Sequence, residues 1–342
     1  MISKKLSDYL SSVGVMVLGV GLVFLGSVTI TAKPVEKIVD QTQVAQAEPY
    51  KKGGDELLPV LPVSRPATPL LKNSLAVYPG NLSAAVVVVV DDKSNTILYK
   101  KNIDEVRSLA SITKLMSALV LNDLNLDWNS STIISENDTD PSSHHLNEGE
   151  KYILDDLWKV ALIGSSNSAI RALARVTGLN EEDFVKKMNE KAEALGLNSL
   201  QFVESTGLDE RNMGKAVDVL RLLKAALKVD KISETLKMGE YFAVPLNNKT
   251  KHHVWSTDWL LINWIPNNFD KDVLAGKTGF IDQSGYNFVV RIPGEKSHVL
   301  RTVILGAASN EKRFTEARDI SEWVFENYIW PDDEGYAEIS GR

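Results

Sequence analysis

Residues 84–90 read Ala-Ala-Val-Val-Val-Val-Val, an unbroken apolar and mostly β-branched run closed by Asp91-Asp92-Lys93-Ser94-Asn95. A short continuous run of this kind, without polar alternation, is consistent with a central strand of a sheet. Residues 96–99 return as a second strand after the turn-forming stretch. Helical spacing then takes over: residues 154–163 up to Gly164, 169–176 up to Gly178, a segment carrying Phe184, Met188, Ala192 and Leu195 before Gly196, and 216–227. Strand patterns resume at 273–278, 286–292 and 299–305, and residues 311–328 read as a closing helix. The expected class is α/β (α+β): one antiparallel sheet built from N- and C-terminal strands, flanked by helices, with an all-helical region inserted between them.

A chain of 342 residues with 44% hydrophobic content can bury a substantial core. The net charge of −7, with no basic patch interleaved with aromatics, argues against a nucleic-acid partner. Cysteine is absent, which excludes disulfides, thiolate metal sites and a cysteine nucleophile. No cofactor is expected.

The N-terminus sets the expected compartment. Lys4 and Lys5 precede an apolar run of 18 residues, 13–30, which reaches the lower limit for spanning a bilayer. The positive flank predicts a cytoplasmic N-terminus with the rest outside. Ala45-Gln46-Ala47 looks like a signal-peptide cleavage site, but it lies 15 residues beyond the run, so an uncleaved anchor is the reading. Prolines at 34, 49, 59, 62, 66 and 69 mark a disordered tether, with a root-mean-square reach of about 35 Å. The expected division is a cytoplasmic end at 1–12, an anchor at 13–31, a linker at 32–74, a catalytic domain at 75–330 and a tail at 331–342.

Residues 109–116 read Leu-Ala-Ser-Ile-Thr-Lys-Leu-Met. As a helix starting near Ser111, they place Ile112, Leu115, Met116, Leu119 and Val120 on one apolar stripe, with Ser111 and Lys114 one turn apart on the opposite face. A hydroxyl in the first turn of a helix, with an amine in reach of its proton, is what an acylating serine needs. The pattern is cheap, since Ser309-x-x-Lys312 repeats it at an ordinary helix start. Two later elements make it specific. Ser165-Ser166-Asn167 falls at a helix break 54 residues after Ser111, and Lys277-Thr278-Gly279 falls on a late strand. Another Ser-x-Asn at Ser135 sits in a polar loop, so each element is weak alone and the ordered triple is not.

With that triple the chain resembles the penicillin-recognising serine acyl transferases, and among them the low-molecular-weight penicillin-binding proteins, the D-alanyl-D-alanine carboxypeptidases of peptidase family S11. The resemblance runs over residues 81–330 and includes Leu146-Asn147-Glu148-Gly149-Glu150, Ser205-Thr206-Gly207-Leu208-Asp209, Gly276 to Phe280 and the closing Trp323 to Tyr328. It implies a β-lactamase/transpeptidase-like fold and a set of roles. Ser111 attacks the carbonyl of the penultimate D-alanine, and Lys114 takes its proton. Ser165 relays protons to the leaving group, and Asn167 orients Lys114 and the substrate amide. Lys277 and Thr278 hold the terminal carboxylate. Gly279 allows close approach to the substrate, and the N–H groups of Ser111 and Phe280 form the oxyanion hole. The implied partners are stem peptides ending in D-Ala-D-Ala, β-lactam inhibitors and the cytoplasmic membrane through the N-terminal helix.

Two departures stand out. Ser168 follows Asn167 where the family often has Asp, and the all-β second domain and C-terminal amphipathic helix of larger members are not matched. The leading reading is a membrane-anchored D,D-carboxypeptidase. A D,D-endopeptidase, a serine β-lactamase and a non-catalytic wall-binding scaffold are the alternatives. The remaining features have bland readings: His144-His145 and His252-His253 are not a metal site, Trp255, Trp259 and Trp264 are core or rim rather than a glycan shelf, and Asp209 and Asp218 are a turn residue and a helix-surface charge.

Overall fold

The computed structural model describes residues 67–140 and 146–341. The expected anchor, most of the expected tether and His144-His145 lie outside the described residues. Among the described residues, no helix is long and apolar enough to cross a membrane.

The sheet has five strands, all antiparallel, in the order Ala275–Ile281, Gly285–Pro293, Val299–Ala307, Val86–Asp91, Ile97–Lys101. The valine run occupies an interior position, in line with its lack of alternation. Its side chains divide between the two faces. Val86, Val88 and Val90 join one core cluster with the helical region, and Val87 and Val89 join the other beneath the closing helix. Each fully buried valine contributes roughly 1.5–3 kcal/mol.

The helical region is inserted between the second and third strands of the sheet in chain order. It contains α1 (Lys114–Asp123), α2 (Leu154–Ile163), α3 (Asn167–Val176), α4 (Glu181–Ala194), α5 (Ala216–Ala226) and α6 (Asp230–Leu236). The closing helix is α7 (Asn310–Asn327), seated across the other face of the sheet. The sequence leads to a single apolar stripe on α1, but residues 114–121 of that helix are all buried. α1 runs through the centre of the molecule against α3, α4 and α5, so it has no wet face.

Folded structure begins earlier than residue 75. Leu70–Leu71 pairs with Tyr328–Ile329, and the Tyr336 hydroxyl donates to the Thr68 carbonyl at 2.7 Å. The segments before and after the domain thus hold each other against it. α6 and the hairpin of Glu240–Ala243 with His252–Trp255 were not legible in the sequence, because elements of four to seven residues carry too few periods to register.

Candidate active site

Ser111 does not open an α-helix. It sits in a 3-10 turn, Ala110–Thr113, and α1 starts at Lys114. Ala110, the residue before it, has φ 48°, and Ser165 has φ 59°. Left-handed conformations cost non-glycine residues about 1–2 kcal/mol each, and both lie beside a reactive side chain. Packing maintains the strain at Ala110. A Cβ on Gly207 would come within 2.0 Å of the Ala110 carbonyl oxygen, and one on Gly279 within 2.5 Å of the Leu109 carbonyl oxygen. Gly279 therefore admits the nucleophile turn itself, a different reason for glycine from the expected approach to substrate. Asn287 adds a tether, with its Nδ2 donating to the Ser108 carbonyl at 2.8 Å and its Oδ1 accepting from Gly306 N at 2.8 Å.

Lys114 is fully buried, and its Nζ lies 2.8 Å from Ser111 Oγ, 2.5 Å from Asn167 Oδ1 and 2.7 Å from the Thr206 carbonyl oxygen. Two of these neighbours are amide oxygens, which can only accept. A neutral amine gives its two N–H bonds to them and keeps its lone pair for the Ser111 hydroxyl. A charged ammonium would donate to all three and leave no base. Burial pulls the Lys114 pKa down from 10.5 to about 7, with carboxylates Glu204 and Asp140 opposing the shift and Arg171 adding to it.

The amide of Asn167 is held from behind. Its Nδ2 donates to Asp140 Oδ2 at 2.5 Å, which turns Oδ1 toward Lys114. The Asp140 N–H donates in turn to Ser168 Oγ at 3.1 Å. Ser168, the departure noted in the sequence, thus supports the loop that carries an acid onto Asn167. Asn167 opens α3, whose N-cap Ser166 accepts from Ala169 N at 3.3 Å.

On the opposite wall, Lys277 Nζ donates to Ser165 Oγ at 2.7 Å, and the Thr278 hydroxyl donates to Thr257 Oγ1 at 2.7 Å. Lys277 is buried, and burial, then the charges of Lys114 and Arg313, push its pKa well below the usual lysine value. Arg313 on α7 backs this strand, its Nη1 donating to the Gly279 carbonyl at 3.1 Å. The strand lies at the edge of the sheet, so one row of its backbone groups has no partner strand. The Phe280 side chain is exposed and stacks on Tyr286, with centroids 4.3 Å apart.

The structure therefore gathers Ser111, Lys114 and Asn167 in one hydrogen-bonded group and Ser165 with Lys277 in another, with Thr278, Gly279 and Phe280 along the same edge strand. Sequence reasoning missed Asp140, Thr257, Glu204 and Arg313, as well as the Thr206 carbonyl. The Ser205-Thr206-Gly207 signal was in view, but its use of a backbone oxygen is invisible to residue type.

The look-alike motifs resolve into capping. Ser309 caps α7 by accepting from Lys312 N at 3.2 Å, and Ser135 forms a capping box with Asp138. Asp209 pairs with Arg211 at 2.6 Å, as a turn residue would. Asp218 is not a surface charge: it is buried and accepts from Ser199 N at 2.9 Å and Ser199 Oγ at 2.7 Å. His252 and His253 point to opposite sides of their strand, toward Glu150 and Glu240 respectively.

Comparison with known proteins agrees with this geometry. The family model of the D-alanyl-D-alanine carboxypeptidases, peptidase S11, matches residues 73–309. A D-alanyl-D-alanine endopeptidase of Haemophilus influenzae is 33% identical over 218 residues, covering 63% of this chain and 72% of that protein. A D-alanyl-D-alanine carboxypeptidase of Bacillus subtilis is 28% identical over 72% of this chain and 63% of its own length. The structure of penicillin-binding protein D2 from Listeria monocytogenes, in its cefotaxime-bound form, superposes with a TM-score of 0.61 at 27% identity, over 72% of this chain and 98% of that one. The chain belongs to the S11 family of D-alanyl-D-alanine carboxypeptidases, serine peptidases with the penicillin-binding protein fold.

Proposed function

We propose that the chain trims peptidoglycan stem peptides outside the cytoplasm by hydrolysing their terminal D-Ala-D-Ala bond through an acyl-enzyme on Ser111. The observation that carries this is the buried Lys114 amine, ringed by the Asn167 Oδ1, the Thr206 carbonyl oxygen and the Ser111 hydroxyl, with burial pulling its pKa down to about 7, so that its neutral form can take the Ser111 proton. The Ser111 proton passes to Lys114 Nζ as Oγ bonds to the carbonyl carbon of the penultimate D-alanine. The N–H groups of Ser111 and Phe280 receive the developing oxyanion. The C–N bond then breaks as Ser165 relays the proton held by Lys114 to the leaving amine, which leaves Lys114 neutral and Ser165 protonated, and D-alanine departs. Water attacks the ester, forms the new carboxylate and returns the proton to Ser111. Lys277 and Thr278 hold the substrate's terminal carboxylate, Lys277 as the ammonium that the incoming carboxylate favours against the burial that otherwise lowers its pKa. A β-lactam enters by the same attack, but its opened ring stays attached.

A second reading shares every residue: cleavage of cross-links between stem peptides, where the leaving amine belongs to a neighbouring peptide. The name of the Haemophilus influenzae relative, D-alanyl-D-alanine endopeptidase, favours it. The apolar run at 13–30 supports retention at the cytoplasmic membrane by a single N-terminal span. The test of the nucleophile is peptide mapping after exposure to benzylpenicillin. The adduct is expected on Ser111 and lost in Ser111→Ala. Labelling that persists in the variant, or maps to Ser165 or Ser309, contradicts the assignment.

A further inference from the structure

The hairpin of Glu240–Ala243 and His252–Trp255 turns one face to solvent. Phe242 pairs with His253 and Glu240 with Trp255, so these four side chains share that face. The Phe242 and His253 rings stack at 4.2 Å and 16°, and Trp255 lies 4.4 Å from His253. Trp264 continues the row, 6.4 Å from Trp255 and 5.5 Å from Trp259. Trp259 stacks in turn on Phe314 of the core, at 5.4 Å. Phe242, Trp255 and Trp264 remain 40%, 47% and 56% exposed, so the row spends rigid aromatic surface on water.

We infer that this row is a platform for the glycan strand of the cell-wall polymer, a subsite that holds sugar rings while the stem peptide lies at Ser111. The proposal rests on the reading that the substrate is that polymer. Three observations favour a carbohydrate. The C–H face of a pyranose ring is apolar and faintly positive, which suits the negative face of an aromatic ring, here the exposed indoles of Trp255 and Trp264, since Phe242 is covered by His253 and Lys251. Polar groups edge the row where sugar hydroxyls would need them: Glu240 accepts from His253 at 2.6 Å, and Lys251 Nζ lies 3.8 Å over Phe242. The segment that carries the row also runs on to the site, since Trp255 is two residues before Thr257, whose hydroxyl accepts from Thr278 at 2.7 Å. A membrane surface fits less well. Anionic lipid selects clusters of roughly four or more Lys and Arg, whereas this hairpin carries Lys249 and Lys251 against Glu240 on a chain of net charge −7.

The test uses the full chain in detergent with three probes: intact cell-wall polymer, a short acyl-D-Ala-D-Ala peptide without sugar, and peptide-free glycan strands of N-acetylated hexosamines. Losing two stacking platforms in the double variant Trp255→Ala, Trp264→Ala is expected to slow polymer cleavage by about 5- to 100-fold. Short-peptide turnover and penicillin labelling should not change, which also shows that the variant folds. Glycan binding, read by isothermal titration calorimetry, should be present in the wild type, retained in Trp255→Phe and lost in the double variant. Polymer cleavage at the wild-type rate, equal losses on polymer and short peptide, or no glycan binding by the wild type would each overturn the proposal. So would glycan binding that survives in the double variant while sedimentation with phosphatidylglycerol vesicles is lost. A wild type that binds glycan but leaves the short peptide intact would instead sink the peptidase reading and leave the platform standing.

Discussion

The pH dependence of acylation follows from one side chain and can be displaced by one substitution. In the proposed mechanism only neutral Lys114 accepts the Ser111 proton, and burial lowers its pKa from 10.5 to about 7. At pH 7 an ordinary lysine is neutral in about one molecule in 3,000, against about half for Lys114, a gain of roughly 10³ in competent base. Below pH 7 the rate of acylation by a fluorescent penicillin should fall about tenfold per pH unit and level off above it. Asp140 supplies a negative charge that raises this pKa, while its Oδ2 holds Asn167 Nδ2. Asp140→Asn removes the charge and keeps an acceptor for that bond. With less negative charge nearby, the ammonium is less favoured, the pKa falls, and the acid limb moves to lower pH. The variant should therefore acylate faster than wild type on the acid limb and at about the same rate on the plateau. Stopped-flow labelling from pH 5 to 9 measures both limbs. A limb that stays in place, moves to higher pH or is absent in the wild type would refute the assignment of Lys114 as the neutral base.

Three further outcomes are expected. Lys277→Ala removes a charge-assisted contact worth ~1.5–3 kcal/mol, so kcat/KM on an acyl-D-Ala-D-Ala substrate should drop by about 10- to 150-fold; an unchanged value would assign the carboxylate to another residue. Gly279→Ala puts a Cβ 2.5 Å from the Leu109 carbonyl, a backbone clash that should cost about 1–3 kcal/mol and lower the melting temperature, whereas Gly239→Ala, whose Cβ meets only a side chain at 3.4 Å, should be tolerated in a thermal melt. The penicilloyl ester on Ser111 should last minutes or longer by intact mass. Serine β-lactamases deacylate with a glutamate in a Glu-x-x-Leu-Asn loop; the nearest match here, Glu193 to Asn198, is one residue too long, and Glu193 is exposed at the end of α4, so lacking such a base forgoes ~10²–10⁴-fold. Rapid penicillin turnover would make Glu193→Gln the next variant.

Much of this was readable from residues because the chemistry is local in type. Continuous valines announced an interior strand, and glycines at 164 and 178 marked where helices stop. Ser111, Lys114 and Asn167, picked out by their order in the chain, meet in one hydrogen-bonded group. What could not be read is set by tertiary burial. The stripe expected on α1 failed because neighbours cover its remaining faces, and Asp218 is an anchor because Ser199 folds over it. Asp140 gave no signal at all: nothing in a polar loop says that it will meet Asn167 from 27 positions away. Glycine at 279 signals a close approach, but its neighbour is the turn bearing Ser111, which only the fold brings there.

The most direct test of the central claim is mass spectrometry of purified muropeptides incubated with the full chain and with Ser111→Ala. A D,D-carboxypeptidase working through Ser111 should convert pentapeptide monomers to tetrapeptides with release of one D-alanine, and the variant should leave them intact. Conversion by the variant, or no change with the wild type, would contradict the account, and release of monomers from dimers with pentapeptides untouched would move the assignment to the endopeptidase.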